Sequence, residues 1–228
     1  MKRDFQIVIW GATGFTGQIV TEYLHDNYKN EIRWAIAGRS LTKLQSVKNR
    51  LQLNDSVECL VGDSFDTESL KAITSRTDVI ISTVGPYALY GKELVNACVQ
   101  TKTDYCDLTG EIPFVKDSVD SFHERAKTNE VKIVHSCGYD SIPSDIGCLL
   151  LQEKAIEKHG KPLSNVKLFI LGLKGKFSGG TLVSMINLMK EAKNPEKRKI
   201  QTNPYILCKD VIAEMPIQRI QNFAWYDP

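Results

Sequence analysis

The sequence lacks the marks of several protein classes. Its six cysteines, at 59, 98, 106, 137, 148 and 208, form no C-x-x-C pair and do not group with the four histidines. That speaks against a zinc site and a disulfide framework, and fits a reducing, cytoplasmic setting. No window approaches the roughly 18 consecutive apolar residues of a spanning helix. MKRDFQIVIW has no apolar stretch followed by a small-residue cleavage site, so neither a transmembrane segment nor a secretory signal is expected. An excess of one charge is also missing. The 29 Lys and Arg face 27 Asp and Glu, a formal net charge of +2 that gives no reason to expect nucleic acid as a partner. Repeats and low-complexity tracts are absent. What remains is 42% hydrophobic and 25% charged, an ordinary globular composition that argues against disorder. A chain of 228 residues suffices for one large domain, or one domain and part of another.

What is present is alternation. Apolar, strand-like runs at 5–10, 32–37, 57–61, 77–85, 103–108 and 131–136 are separated by helical patterns at 16–25, 40–51, 66–74, 92–100 and 115–129. Ser40 is placed to cap the second helix. Strict β–α alternation with apolar strands predicts a parallel sheet covered by helices on both faces. The pattern then changes: a helix at 143–159, a strand at 165–175 and a helix at 179–192 are predicted. Beyond Asn194, with Pro195, Pro204, Pro216 and Pro228, no element is predicted. Roughly 80 residues make a marginal unit on their own. The sequence stops on FAWYDP without a cap, so the second domain is expected to be incomplete.

The stretch IVIWGATGFTGQIV (7–20) runs from a strand through Gly11, Ala12, Thr13, Gly14, Phe15, Thr16 and Gly17 into a helix. In that setting Gly11 permits a tight turn, Gly14 lets backbone approach a pyrophosphate, and Gly17 lets the helix pack on the sheet. The N–H groups and dipole at the helix start then hold phosphate. NAD sites place a carboxylate about 20 residues further on, against the ribose 2′-hydroxyl. Here the second strand ends AIAGRS, so Arg39 and Ser40 stand where a 2′-phosphate would be bound, with Lys43 one helical turn away. NADP(H) is therefore expected rather than NAD. The alternative for Arg39 is a solvated loop residue. Asp63 follows the third strand and is placed either to bond an adenine amine or to cap the next helix. Thr83, Val84, Gly85 and Pro86 end the fourth strand and should face the inner phosphate and nicotinamide half.

GATGFTG, WAIAGRS, STVGPYALYG, YCDLTGE and CGYDSIPSDIG occur in this order over residues 5 to about 150. The ensemble resembles the saccharopine dehydrogenase-like oxidoreductases, which include mycobacterial trans-acting enoyl reductases and eukaryotic saccharopine dehydrogenase-like proteins. The likeness continues more weakly through SGGTLVSM. It implies an α/β fold: a Rossmann-type, doubly wound parallel sheet binding NADP over residues 1–145. A partial second α/β domain over residues 146–228 would follow. Family members continue past the point where this chain stops, and that part would supply much of the second domain and a wall of the substrate pocket.

Candidates for chemistry lie on the ligand side of the sheet. Tyr139, Asp140 and Ser141, with Asp145, crowd the CGYDSIPSD loop as substrate or proton-handling groups; the structural alternative is helix capping around Pro143. Glu111 in DLTGE is placed as acid or base, or as an acceptor for nearby backbone. Tyr87 and Tyr90 either line the pocket or pack. His123 and His135 are lone histidines, which more often pack than catalyse. Tyr205 and Lys209 have a Y-x-x-x-K spacing but lie outside the nucleotide domain. Lys190 to Lys199 reads as a solvated basic face. The resemblance implies an NADP-dependent oxidoreductase acting on an enoyl bond of a lipid-type small molecule. The alternatives are a saccharopine-type imine dehydrogenase and a non-catalytic NADP(H)-binding, lipid-associated protein. No metal is expected. A second copy of the chain and a membrane or lipid-droplet surface stay open as partners.

Overall fold

The apolar runs of the first half pair side by side as parallel strands. The computed structural model describes residues 2–28, 31–172, 174, 179–203 and 205–208. In chain order the first elements are β1 (Phe5–Trp10), α1 (Phe15–Tyr28), β2 (Trp34–Gly38), α2 (Leu41–Arg50), β3 (Glu58–Val61) and α3 (Thr67–Thr74). Then come β4 (Thr77–Ser82), α4 (Tyr87–Tyr90), α5 (Lys92–Thr101), β5 (Asp104–Asp107), α6 (Ile112–Thr128) and β6 (Ile133–Val134). Three helices follow: α7 (Ile142–His159), α8 (Gly179–Glu191) and α9 (Pro195–Thr202).

The strands lie in the order β3-β2-β1-β4-β5-β6, and every pairing is parallel. This is the doubly wound α/β sheet of Rossmann type. The chain winds outward from β1 to β3, then returns to the other side of β1 with β4. Ligands bind where the strand order reverses, outside the carboxyl ends of the strands. Here that point lies between β1 and β4.

The period of two along each strand divides the core. Val8 and Trp10 join Leu70, Ile73, Leu94, Val95, Phe114 and Phe122 on the face covered by α3, α5 and α6. Ile9 and Ile36 join Leu24 and Leu44 under α1 and α2. Helix starts are fixed locally. Ser40 caps α2, its Oγ accepting from Lys43 N at 3.4 Å. Asp66 caps α3, its Oδ1 accepting from Glu68 N at 3.1 Å and Ser69 N at 3.3 Å.

After β6 the structure departs from the predicted pattern. The strand expected at 165–175 is absent among the described residues of that stretch. They pair with no strand, and Leu171 is 98% exposed. A run with strand-like composition forms no ladder without a partner to satisfy its N–H and C=O groups. Helix α9, by contrast, was not predicted. Its prolines read as breakers, yet Pro195 sits at the first helical turn, where its missing N–H costs nothing. Asn194 caps that turn by accepting from Glu196 N at 2.9 Å. Helix α7 runs unbroken through the boundary expected at 145/146. Among the described residues no helix is long and apolar enough to cross a membrane.

All six cysteines are unpaired. Burial pushes the Cys98 thiol above its ordinary value, and burial with the nearby Cys137 thiol and Asp107 carboxylate pushes Cys106 up to about 12. A thiol whose folded value is raised stabilises the fold below its unfolded value, 9.0 here, and that contribution is lost as pH climbs toward 12. Melting temperature should therefore fall progressively above pH 9. Cys106→Ala should make that alkaline fall shallower in thermal melts.

Candidate functional site

The site begins at the end of β1. Gly11 has φ +90°, a left-handed conformation that side chains disfavour, and its N–H donates to Ala37 O at 2.9 Å. A Cβ on Gly11 would lie 2.4 Å from Val84 Cγ2 and 2.9 Å from Thr83 Oγ1. The end of β4 is thus pressed directly against the glycine turn, and Thr83 N closes the seam by donating to Trp10 O at 2.9 Å. Gly17 plays a different part. A Cβ there would stand 2.1 Å from Gly11 O, so only glycine lets α1 start this close over the turn. Gly14 is the open one: its Cβ would meet only Gly11 O, at 3.3 Å, and otherwise empty space.

Around this turn lies a cleft of about 460 Å³. Gly11, Thr13, Gly14, Phe15 and Thr16 form one wall, where the first N–H groups of α1 have no intrahelical partner. Gly38, Arg39, Asp63, Ser64 and Phe65 form the β2–β3 side. Thr83, Val84, Gly85, Pro86 and Tyr90 form the β4 side, and Gly179, Gly180 and Val183 of α8 stand across from them. Three residues expected at the cofactor lie behind this lining. Ala12 is fully buried, Gly17 faces Gly11, and the Ser40 hydroxyl is engaged as the α2 cap.

Arg39 is exposed at the rim and makes no hydrogen bond or ion pair with the described residues. Its guanidinium donors stay available to an anion. Asp63 Oδ1 accepts from Phe65 N at 2.9 Å, forming a turn that brings Phe65 to the cleft; the helix cap belongs to Asp66. Phe65 stands edge-to-face with Tyr90 at 5.5 Å. Neither Phe65 nor the α8 residues were expected at the cofactor site, although SGGTLVSM carries part of the family likeness. Phe65 lies in an unremarked GDSFD turn, and the glycines of α8 carry no periodic signal.

The two tyrosines of GPYALYG separate. Tyr90 lines the cleft, whereas Tyr87 is buried, its OH donating to Ser82 O at 3.1 Å and its ring 5.8 Å from Phe114. Burial and the Asp107 charge push the Tyr87 hydroxyl well above its ordinary value, so it stays protonated.

The residues expected to carry chemistry are not brought to the cleft. Tyr139 is 63% exposed and lies outside the lining, as do Asp140 and Ser141. Ser141 occupies the cap position of α7 without a side-chain capping bond, and Asp145 lies in the first turn. Glu111 is buried, with Oε1 accepting from Tyr87 N at 2.9 Å and from Ser184 Oγ at 2.8 Å, and Oε2 accepting from Ala88 N at 2.9 Å. Both of its oxygens therefore bond backbone N–H groups at the start of α4.

His135 proves not to be solitary. Its Nδ1 is 2.7 Å from Asp107 Oδ2 and its Nε2 2.9 Å from Ser118 Oγ. The sequence of groups resembles a nucleophilic relay, but Ser118 lies within α6, where neighbouring N–H groups are spent on the helix. Such a serine has no donors to stabilise an oxyanion, so the trio is a buried polar staple. His123 is 3.8 Å from Glu124 on the outer face of α6. Lys197 pairs with Glu191 at 2.6 Å in the exposed basic stretch. Lys209 lies outside the described residues, so the Tyr205–Lys209 spacing has no geometry to report.

Residues 7–134 match the family described as saccharopine dehydrogenase NADP binding domain. The chain is 39% identical to a Mycobacterium tuberculosis protein provisionally named a trans-acting enoyl reductase, over 93% of this chain and 51% of that protein. It is 38% identical to a trans-acting enoyl reductase of Mycobacterium leprae, over the same shares of each. The chain thus spans about half the length of the curated relatives it matches. Among solved structures, apo saccharopine dehydrogenase (L-Glu forming) from Saccharomyces cerevisiae superposes with a TM-score of 0.57 at 19% identity, covering 68% of this chain and 32% of that one. That likeness is one of fold.

Proposed function

The chain belongs to the family of saccharopine dehydrogenase NADP-binding domains, whose cofactor is NADP(H), and from that premise we propose that it is an NADP(H)-dependent oxidoreductase reducing an enoyl C=C bond of a lipid-type substrate. The observation that carries the cofactor half is the cleft at the β1–β4 switch point. There the glycine turn and Arg39, which pairs with none of the described residues, line the same cleft. The enoyl half is supported by what the mycobacterial relatives are named.

The chain's residues divide the work of holding the cofactor. The first N–H groups of α1, exposed by Gly14, take the pyrophosphate, and the helix dipole favours its charge. Arg39 takes the 2′-phosphate with charge-assisted, paired N–H donors, while Ser40 fixes the start of α2 behind it. Asp63 faces the adenine end, and Thr83, Val84, Gly85 and Pro86 face the nicotinamide half. Bound NADPH supplies hydride; the protein supplies position and polarity. Phe65 of the β2–β3 side and Tyr90 of the β4 side meet edge to face and link the two sides of the cleft.

Arg39→Ala should weaken NADPH binding by about 10- to 100-fold, the ~1.5–3 kcal/mol of a hydrogen bond to a charged group. NADH affinity should barely change. Titration of both nucleotides followed by nicotinamide fluorescence checks this, and tighter binding of NADH by the wild type would overturn the assignment.

A second reading, NADP(H) binding without turnover, draws support from one observation. Tyr139, Asp140 and Ser141 stand off the cleft, and the Glu111 oxygens are already bonded. NADPH consumption with α,β-unsaturated acyl thioesters, against saccharopine-type imines, separates the readings. Turnover of the enoyl substrate supports the first reading, and turnover of imines alone overturns it. Tight NADPH binding with no turnover of either favours the second.

A further inference from the structure

Glu111 joins three separate pieces of chain at the nicotinamide side of the cleft. Its own position is set by Thr109, whose Oγ1 accepts from Glu111 N at 3.0 Å. Its carboxylate then caps the first turn of α4, directly after the Gly85–Pro86 lining, through Tyr87 N and Ala88 N. The third donor comes from far along the chain: Ser184 of α8, 73 residues away, reaches Oε1 at 2.8 Å. A carboxylate this buried needs donors on both oxygens, and a hydroxyl that meets that need is held by it.

Ser184 belongs to one face of α8. Gly180, Val183 and Ser184 are spaced i, i+3, i+4 and turn to the same side. Gly180 and Val183 line the cleft while Ser184 bonds Glu111. Gly85 lies directly beneath them, at a distance where a Cβ would be in ordinary contact with Ser184 Oγ, 3.5 Å away. The other side of the helix, with Leu182, Met185, Ile186 and Met189, is solvent-exposed. The Ser184–Glu111 bond therefore ties α8 to the turn that carries the cofactor-facing residues Gly85 and Pro86.

We infer that Glu111 is a positioning residue that latches α8 onto the cofactor cleft through Ser184, so that NADP(H) binding at Gly85–Pro86 and the seating of α8 are coupled. The inference rests on the NADP(H) reading. It assigns no proton transfer to Glu111. Cofactor against the Gly85–Pro86 turn orders α4, the ordered α4 fixes the carboxylate, and the fixed carboxylate holds α8 as the opposite wall.

The experiment is hydrogen exchange of the full chain with and without NADPH, together with NADPH titration, for wild type, Ser184→Ala and Ser184→Thr. In the wild type NADPH should slow exchange in α1, α4 and α8 together. Ser184→Ala leaves both backbone donors on Glu111, so its melting temperature should stay close to wild type. Its NADPH affinity should fall roughly five- to tenfold, less than the full worth of a hydrogen bond to a charged group because Glu111 keeps its two backbone donors, and protection of α8 by NADPH should vanish while that of α1 persists. Ser184→Thr, which keeps the hydroxyl, should restore both. Protection of α1 and α4 without α8 in the wild type would overturn the latch alone, as would wild-type affinity in Ser184→Ala. Absence of saturable NADPH binding to the wild type would overturn the latch and the cofactor reading together.

Discussion

Gly17→Ala should abolish NADPH binding and lower stability at the same time. The added Cβ would lie 2.1 Å from Gly11 O, 2.8 Å from Gly11 C and 2.9 Å from Ala12 Cα. Every one of these is backbone, so no side chain can rotate away. Either the first turn of α1 lifts off the sheet or the glycine turn deforms, and both misplace the N–H groups that would face the pyrophosphate. Overpacking of this kind costs about 1–3 kcal/mol and more when backbone must shift. We expect the upper end, with NADPH affinity reduced by more than about 100-fold. Gly14→Ala is the informative partner. Its Cβ would meet only Gly11 O, at 3.3 Å, a backbone contact that needs a shift of a few tenths of an ångström, so the loss of stability should be far smaller than for Gly17→Ala. Its methyl group would nevertheless project where phosphate must approach. Thermal melts and NADPH titrations of the pair should split: Gly17→Ala loses stability and binding, Gly14→Ala loses chiefly binding. A Gly17→Ala protein that melts and binds like wild type would contradict the packing role read for that glycine.

The split between these two glycines shows how far the sequence could be read. The spacing of Gly11, Gly14 and Gly17 between an apolar run and an amphipathic one was enough to place the turn and its helix, because each glycine answers a local steric demand. The central strands β1 and β2 were legible because a strand buried on both sides must be largely apolar, and the outer ones because they fall in step with the β–α alternation. The replacement of a carboxylate by Arg39 after the second strand was likewise a one-residue signal, and Arg39 lines the cleft without a hydrogen bond or ion pair among the described residues.

Long-range relations were not legible. Glu111 was visible as a carboxylate after a short strand, but nothing near it in sequence announces that Ser184 will donate to it. The strand expected at 165–175 has the right composition, but its described residues find no partner strand among the described residues, and pairing is a property of two segments. Helix α9 was lost for the opposite reason. Four prolines dominated a tail in which one of them, Pro195, stands at a helix start and favours it. His135 was judged alone because its partners, Asp107 and Ser118, lie 28 and 17 residues away.

That last trio carries the second large effect. Asp107→Ala should destabilise the fold by about 3–5 kcal/mol, because several hydrogen bonds to one buried carboxylate are lost and each buried donor left unsatisfied costs about 1–3 kcal/mol. The Asp107 side chain is inaccessible to solvent, and four donors converge on it. Tyr105 OH at 2.9 Å and His135 Nδ1 at 2.7 Å meet Oδ2, while Thr109 N and Ser136 N, both at 3.1 Å, meet Oδ1. Truncation leaves the buried Tyr105 hydroxyl and Thr109 N–H, and the half-buried His135 and Ser136 N–H groups, without this acceptor, and each fully buried orphan costs about 1–3 kcal/mol. Asp107→Asn keeps the shape and one acceptor oxygen but turns an NH₂ toward a neighbour that is itself a donor, so it should fall between wild type and alanine. Urea unfolding should show the midpoint dropping with an unchanged slope for both variants. A loss below about 1 kcal/mol for Asp107→Ala would mean that water enters the site and satisfies these groups. The consequence reaches the cleft. Thr109, held through its N–H by Asp107, sets Glu111 through its hydroxyl, and Glu111 caps the turn after Pro86. Asp107→Ala should therefore also weaken NADPH binding under conditions where the chain is still folded, which separates an effect carried by this chain of hydrogen bonds from simple unfolding.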